Sequence, residues 1–279
     1  MRLGILGASG YVGREVVAAA AGAWSLVVMG RTSVGTHEFR ACDLGKPLDP
    51  AVIDGLTAVI HLAADTGGGG HDAADEIAFT RALAEEAARR GVRLVFVSSQ
   101  VADVHAPSDY GRRKAAIERD VLERGGVVVR PGLVYGGREA GLFGQLVGLV
   151  RRLPVLPGIL PAPRVWPVHV RDLAQALIHA CDPVVPSAVY GIAGAPVGFD
   201  VFLAAIGRYR WSKRRVFLPF PAVLLRAALA VAGPVLGPRF SAARFDSLLA
   251  VPPMQAAEGC RQLGVVPRPL HAGMSRSGR

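Results

Sequence analysis

Met1–Gly13 reads MRLGILGASGYVG. A short apolar run, Leu3 to Leu6, enters a turn that carries Gly7, Gly10 and Gly13, and a helix-favouring segment from Tyr11 to Ala21 follows. A glycine-rich turn between a buried strand and a helix suits a dinucleotide. Small residues let the backbone approach a pyrophosphate, whose charge then sits at the helix N-terminus. Glycine is abundant here, 34 of 279 residues, so the spacing by itself does not decide the fold and partner motifs downstream must.

Leu26 to Met29 reads as a second buried strand, closed by Gly30 and Arg31. An acid at that strand end would bind the adenosine ribose diol, whereas an arginine accommodates a 2′-phosphate. Arg31 therefore favours NADP, with NAD as the alternative. The run Ala58–Ala64 reads as a central strand in which His61 is a packed core histidine rather than a ligand. A helix over Ala73–Arg90, closed by Gly91, leads to the strand Arg93–Val97, which delivers Ser98 and Ser99 to its C-terminal end. In parallel α/β sheets ligands bind at that edge.

Pro107-Ser108-Asp109 marks a helix start, and Tyr110 to Arg124 continues with helical spacing. A strand at Val127–Val129, a helix at Leu142–Arg152, a proline-rich passage to Pro167, a helix opened by Val168–Ala174 and an edge strand at Val189–Ile192 follow. The regular alternation predicts an α/β fold with a doubly wound parallel sheet of Rossmann type.

The formal charge is 32 − 22 = +10, yet only Lys46, Lys114 and Lys213 are lysines. Such arginine bias reflects a GC-rich coding sequence rather than a nucleic-acid partner, while a basic surface still favours anionic ligands. Cys42, Cys181 and Cys260 are scattered, without metal-ligand spacing or a disulfide framework, which predicts no metal and a reducing, cytoplasmic setting. No signal peptide is evident. Val216–Leu236 is the most apolar stretch, but Pro219, Pro221, Pro234 and Arg226 interrupt it. It reads as a buried or membrane-grazing helix rather than a transmembrane span. Residues 275–279 read as a disordered tail.

A strand-end serine and a tyrosine–lysine pair four residues apart make sense together as a hydride-transfer site. Hydride delivery to a carbonyl needs a proton donor, and the reverse needs a base. The phenol of tyrosine has a pKa of about 10, so acting as a base near neutrality requires a shift of roughly 3 units, about 4 kcal/mol. One ammonium about 4 Å away at an effective dielectric near 20 supplies that much. Lys114 can thus stabilise a Tyr110 phenolate and bond cofactor ribose hydroxyls, while Ser99 holds the substrate oxygen against Tyr110.

On these motifs the chain resembles an extended short-chain dehydrogenase/reductase of the nucleotide-sugar epimerase/dehydratase group. GASGYVG resembles that family's cofactor loop, HLAA its fourth-strand motif, VFVSS its catalytic-serine strand and YGRRK its tyrosine–lysine helix. RPGLVYG resembles the segment beside the nicotinamide, and VHVRDLAQA a later strand–helix junction. The C-terminal RFDSLLAVPPMQAAEGCRQLGVVPRPLHAGM resembles the end of bacterial UDP-sugar 4-ketoreductases.

The resemblance implies catalytic Ser99, Tyr110 and Lys114. It implies that Gly7, Ala8, Ser9, Gly10, Tyr11, Val12 and Gly13 line the pyrophosphate. Asp43 and Leu44 would meet the adenine, Ala63 and Ala64 the ribose side, and Pro131 and Val134 the nicotinamide. Arg164 and Arg244 would clamp a substrate diphosphate. Departures qualify the activity. Dehydratases follow the catalytic Ser/Thr with Asp-Glu, but Ser99 is followed by Gln100 and Val101, which argues against dehydration. Glu76 or a neighbour replaces an asparagine usual in the preceding helix, and the interval from Ser99 to Tyr110 is short.

The expected organisation is a Rossmann domain over 1–135 and about 166–195. A small, mainly helical C-terminal substrate-binding cap would take about 136–165 and 196–274. The expected activity is NAD(P)-dependent reduction of a 4-keto group on a nucleotide-linked sugar. Alternatives are a nucleotide-sugar 4-epimerase with tightly bound NAD, a reductase of a non-sugar carbonyl such as a lipid, and a non-catalytic NAD(P)-binding sensor. A homodimer is expected from the family.

Overall fold

The computed structural model describes residues 1–63, 73–236 and 242–274. The first half follows the reading with one strand, β3, that the sequence did not show: β1 (Arg2–Leu6), α1 (Tyr11–Ala20), β2 (Ser25–Gly30), β3 (Glu38–Ala41), β4 (Ala58–His61), α2 (Ala73–Arg90), β5 (Arg93–Val97), α3 (Asp109–Glu123) and β6 (Val127–Pro131). Next come β7 (Leu133–Tyr135), α4 (Gly141–Arg152), β8 (Val155–Leu160), β9 (Arg164–Val165), β10 (Pro167–His169), α5 (Val170–His179) and β11 (Val189–Ile192). The remainder is β12 (Val197–Gly198), α6 (Phe199–Trp211), β13 (Val216–Pro221), α7 (Ala222–Leu236), α8 (Ala242–Leu249), α9 (Ala256–Gln262) and α10 (Leu270–Met274).

Seven strands form one parallel sheet in the order β11-β6-β5-β4-β1-β2-β3. The inner strands are continuous apolar runs because helices cover both faces. One face packs Val16 and Ala20 of α1 with Leu173 and Leu177 of α5. The other packs Phe79 and Leu83 of α2 with Ile117 and Val121 of α3. The chain winds outward from β1 to β3 and returns to β4, so the order reverses between β1 and β4. That reversal leaves a crevice at the strands' carboxyl ends.

Helix ends follow their local chemistry. The Ser108 side chain accepts from the Gly111 amide at 3.2 Å and caps α3, as Pro107-Ser108-Asp109 predicts. Gly91 takes φ +66° just after α2. A separate apolar core, built on Tyr135, Phe143, Val147, Phe202 and Ile206, ties β7 and α4 to α6.

Two readings are corrected here. The proline-rich passage before Pro167 contains β8 and β9, because pairing with distant partners, β13 and β12, organises it. Val216–Leu236 is not one buried helix. Pro219 and Pro221 cannot continue a helical hydrogen-bond ladder, and Val216–Pro221 forms a strand alongside β8 before α7 begins. Both pieces are largely exposed. No helix among the described residues is long and apolar enough to cross a membrane. The tail at 275–279 lies outside the described residues.

Candidate active site

The glycine turn sits at the sheet's reversal point. Gly7 has φ +91°, and a Cβ there would come 2.8 Å from the Ala63 amide nitrogen at the end of β4. A Cβ on Gly13 would lie 2.3 Å from the Gly7 carbonyl oxygen. Only glycine permits this packing of loop, helix and neighbouring strand. Gly10 precedes α1 without a side-chain cap, and the first turn holds no acid, so its amides are left for an anionic ligand. These residues fit a dinucleotide pyrophosphate. Ser9 is exposed beside the turn, Ala8 is buried under it, and Val12 packs on the sheet core. Tyr11 also ties the turn to the rest of the chain. Its hydroxyl donates to the Gly136 carbonyl at 2.6 Å, and burial pushes its pKa well above the ordinary phenol value.

Arg31 lies exposed immediately after β2, beyond Gly30. Asp43 follows β3 and accepts from the Gly45 amide at 3.2 Å, and Leu44 is buried beside it. Pro131 ends β6 and Val134 lies half-buried on β7. Ala64 is outside the described residues.

Ser99 follows β5, and Tyr110 and Lys114 share one face of α3. Ser99 is close enough to Tyr110 to work on its phenol, and its own hydroxyl accepts from the Val101 amide at 3.4 Å. Lys114 is fully buried, with Nζ 4.5 Å from the Phe96 ring centroid and 5.8 Å from that of Tyr110. Its ammonium lies 3.4 Å from Glu76 Oε1 on α2, and Arg113 Nε lies 3.2 Å from Glu76 Oε2. Burial lowers the Lys114 pKa and Glu76 opposes that shift. Burial first, then the Glu76 charge, raises the Tyr110 pKa, while Ser99 works the other way. The phenol therefore rests protonated.

Glu76 is the residue whose role the sequence shows least, because its partners lie on another helix. His61 is a core histidine as read. Its Nε2 is 3.0 Å from Thr80 Oγ1, and burial, with Lys114 nearby, lowers its pKa to about 3.

The segment that follows Ser99 in the chain borders a cleft of about 170 Å³, which neither Ser99 nor Tyr110 lines. The loop from Val101 to Ser108 forms one wall, and Ser247, Ala250 and Pro252 form the other. Buried Gln100 joins the two sides by donating from Nε2 to the Pro252 carbonyl at 2.7 Å. Among the described side chains lining the cleft there is neither lysine nor arginine. Arg164 is exposed on β9, opposite Gly198 of β12, with no bond to Ser99, Tyr110 or Lys114 among the described residues. Arg244 belongs to α8, one turn before Ser247, and its side chain lies outside what is described. No cluster of metal-ligating side chains occurs among the described residues.

The chain is 34% identical over 194 residues to a ceramide reductase of Caulobacter vibrioides, a match covering 63% of this chain and 60% of that protein. Among solved structures it resembles a nucleoside-diphosphate-sugar epimerase of Staphylococcus aureus, with TM-score 0.74 and 15% identity over 99% of this chain and all of that one. It also resembles MoeE5 in complex with UDP-glucose and NAD, with TM-score 0.73 and 19% identity over 98% of this chain and 96% of that one. At these identities the two structures share the fold. Residues 3–193, from the first strand through the last strand of the sheet, match the family model described as NAD dependent epimerase/dehydratase, and the chain belongs to that family.

Proposed function

We propose that this chain is an NAD(P)H-dependent ketone reductase acting on a ceramide-like lipid. The observation that carries the reading is the hydroxyl pair Ser99–Tyr110, with the phenol kept protonated by burial and by Glu76. A protonated phenol beside a hydrogen-bonding serine is an acid waiting for a carbonyl oxygen. Ser99 orients that oxygen, and Tyr110 Oη gives it a proton. When bound, the reduced nicotinamide supplies the hydride. Lys114, whose ammonium lies 5.8 Å from the centroid of the phenol ring, is placed to favour the resulting phenolate. Water then reprotonates Tyr110.

The substrate class rests on two supports. A relative is a ceramide reductase, and the cleft near Ser99 in the chain is lined by Val101, Ala106, Pro107, Ala250 and Pro252 together with Asp103, His105, Ser108 and Ser247. A neutral amide lipid needs such a surface, whereas a nucleotide diphosphate needs cations. Exposed Arg31 at the end of β2 supports NADPH over NADH.

The test is NADPH oxidation with a 3-keto-ceramide, with Tyr110→Phe as the control. Turnover that the control lowers by about 10²-fold or more supports the assignment. Equal turnover by the control overturns it. Arg244, in α8 one turn before the cleft-lining Ser247, is the residue on which a second reading rests, reduction of a 4-keto nucleotide-sugar. NADPH oxidation with a UDP-4-keto-hexose in place of the lipid would move the assignment there. Activity without added cofactor, together with stoichiometric bound NAD, would move it to a 4-epimerase.

A further inference from the structure

One face of the substrate side of the molecule is apolar and open. β8 and β13 run parallel, with Val155 opposite Val216 and Pro157 opposite Leu218. Strand alternation puts Phe217 against the core and leaves Val216, Leu218 and Phe220 57%, 55% and 42% exposed. The surface continues onto α7. Leu225 and Leu229 pack inward, while Val223 and Val231 are 77% and 82% exposed. Single exposed aliphatics are ordinary, but a contiguous strand ribbon and helix of them mark an interaction surface.

Charge identifies the partner. Arg151 and Arg152 precede β8, and Lys213 and Arg214 precede β13. Because the strands are parallel, both basic pairs stand at the same end of the ribbon. Arg151 lies 3.9 Å from Glu139, but Arg152, Lys213 and Arg214 are exposed and have no carboxylate partner among the described residues. A second copy of this chain would meet the apolar half with its own apolar half, yet it offers another basic end rather than an acidic one. An anionic bilayer meets both halves at once.

We infer that the β8–β13 ribbon and α7 dock on the surface of an anionic phospholipid bilayer. The exposed aliphatic side chains enter the headgroup–acyl boundary, and Arg152, Lys213 and Arg214 meet phosphates. α7 packs on α8, where Arg226 Nε reaches Asp246 Oδ1 at 2.8 Å, and Ser247 of α8 lines the cleft. The docked face is thus one helix away from the cleft wall. This inference goes beyond the proposed reaction, and vesicle binding is read without any turnover.

The test is flotation of the full chain with phosphatidylglycerol vesicles and with phosphatidylcholine vesicles. The protein is expected to float with the anionic vesicles and to be released by salt. Leu218→Glu with Val223→Glu is expected to weaken binding at least tenfold. Arg152→Glu, Lys213→Glu and Arg214→Glu each weaken it about fivefold or more at low salt. Unchanged thermal midpoints show that these surface variants still fold. The inference is overturned if the wild type stays in the aqueous fraction with both vesicles, or if Leu218→Glu/Val223→Glu floats as well as it does. A concentration-dependent dimer that Leu218→Glu dissolves, without vesicle binding, assigns the face to a second copy instead.

Discussion

Glu76 and Lys114 form a buried ion pair, carboxylate to ammonium 3.4 Å apart, with each residue 1% exposed. The pair spans α2 and α3 beneath the proposed acid. Glu76→Gln leaves the ammonium without its counter-charge. Breaking a buried pair from one side costs about 3–5 kcal/mol, so a large drop in denaturant midpoint is expected. The variant also removes a charge that raises the Tyr110 pKa. The phenol should then lose its proton at lower pH, and the alkaline fall in the reductive rate should begin earlier. A pH–rate profile separates this from a purely structural loss.

Gly13 packs so closely on the Gly7 carbonyl that Gly13→Ala must displace the turn. The expected result is loss of the thermal shift given by NADPH or NADH. An undiminished shift would mean that the dinucleotide binds elsewhere.

Arg31→Asp should exchange 2′-phosphate recognition for ribose-diol recognition. The ratio of kcat/KM for NADPH to that for NADH is expected to fall by about tenfold or more, corresponding to one charge-assisted contact. An unchanged ratio removes Arg31 from the cofactor site.

His61 titrates near 6.5 when unfolded and near 3 when folded. The unfolded chain therefore binds the extra proton between those values. The contribution is complete above about pH 6.5 and is lost as pH falls towards 3. His169, lowered to about 4 chiefly by burial, acts in the same direction. Thermal midpoints should decline on acidification from pH 6.5, and His61→Gln should flatten that decline. An equal slope in the variant would place the acid sensitivity elsewhere.

Asp172 on α5 receives the Arg268 amide at 2.9 Å and its guanidinium at 2.6 Å. Arg268→Ala leaves a buried carboxylate short of its cation, at a cost of about 3 kcal/mol. Equilibrium denaturation measures it. Arg268→Lys should recover only part, since a point charge does not reproduce the two guanidinium contacts that converge on Asp172 Oδ1.

Local spacing is why the cofactor loop and the Tyr110–Lys114 pair are legible in the sequence: glycine geometry and an i,i+4 helix pair need no tertiary knowledge. The regular β-α alternation is legible for the same reason. The ribbon of β8 and β13 is hidden because Val155 and Val216 find each other across an intervening stretch that includes β11 of the main sheet. Proline content there suggests loop, and apolar content in Val216–Leu236 suggests helix. Neither property reveals a partner strand. Glu76 stands out in the sequence only as a departure from the family's asparagine. Its pairing with Lys114 and Arg113 depends on how α2 leans on α3. The tie from Gln100 to Pro252 is equally hidden, since 152 residues separate the two.

Gly259 of α9 would place a Cβ 2.3 Å from the Gly191 carbonyl, so α9 seals the last strand of the sheet. During synthesis that strand emerges well before the helix that covers it. The nascent chain must therefore carry an unfinished apolar edge until α9 leaves the ribosome. Fragments that stop at residue 193, although they span the whole family match, should aggregate rather than yield a bindable Rossmann half.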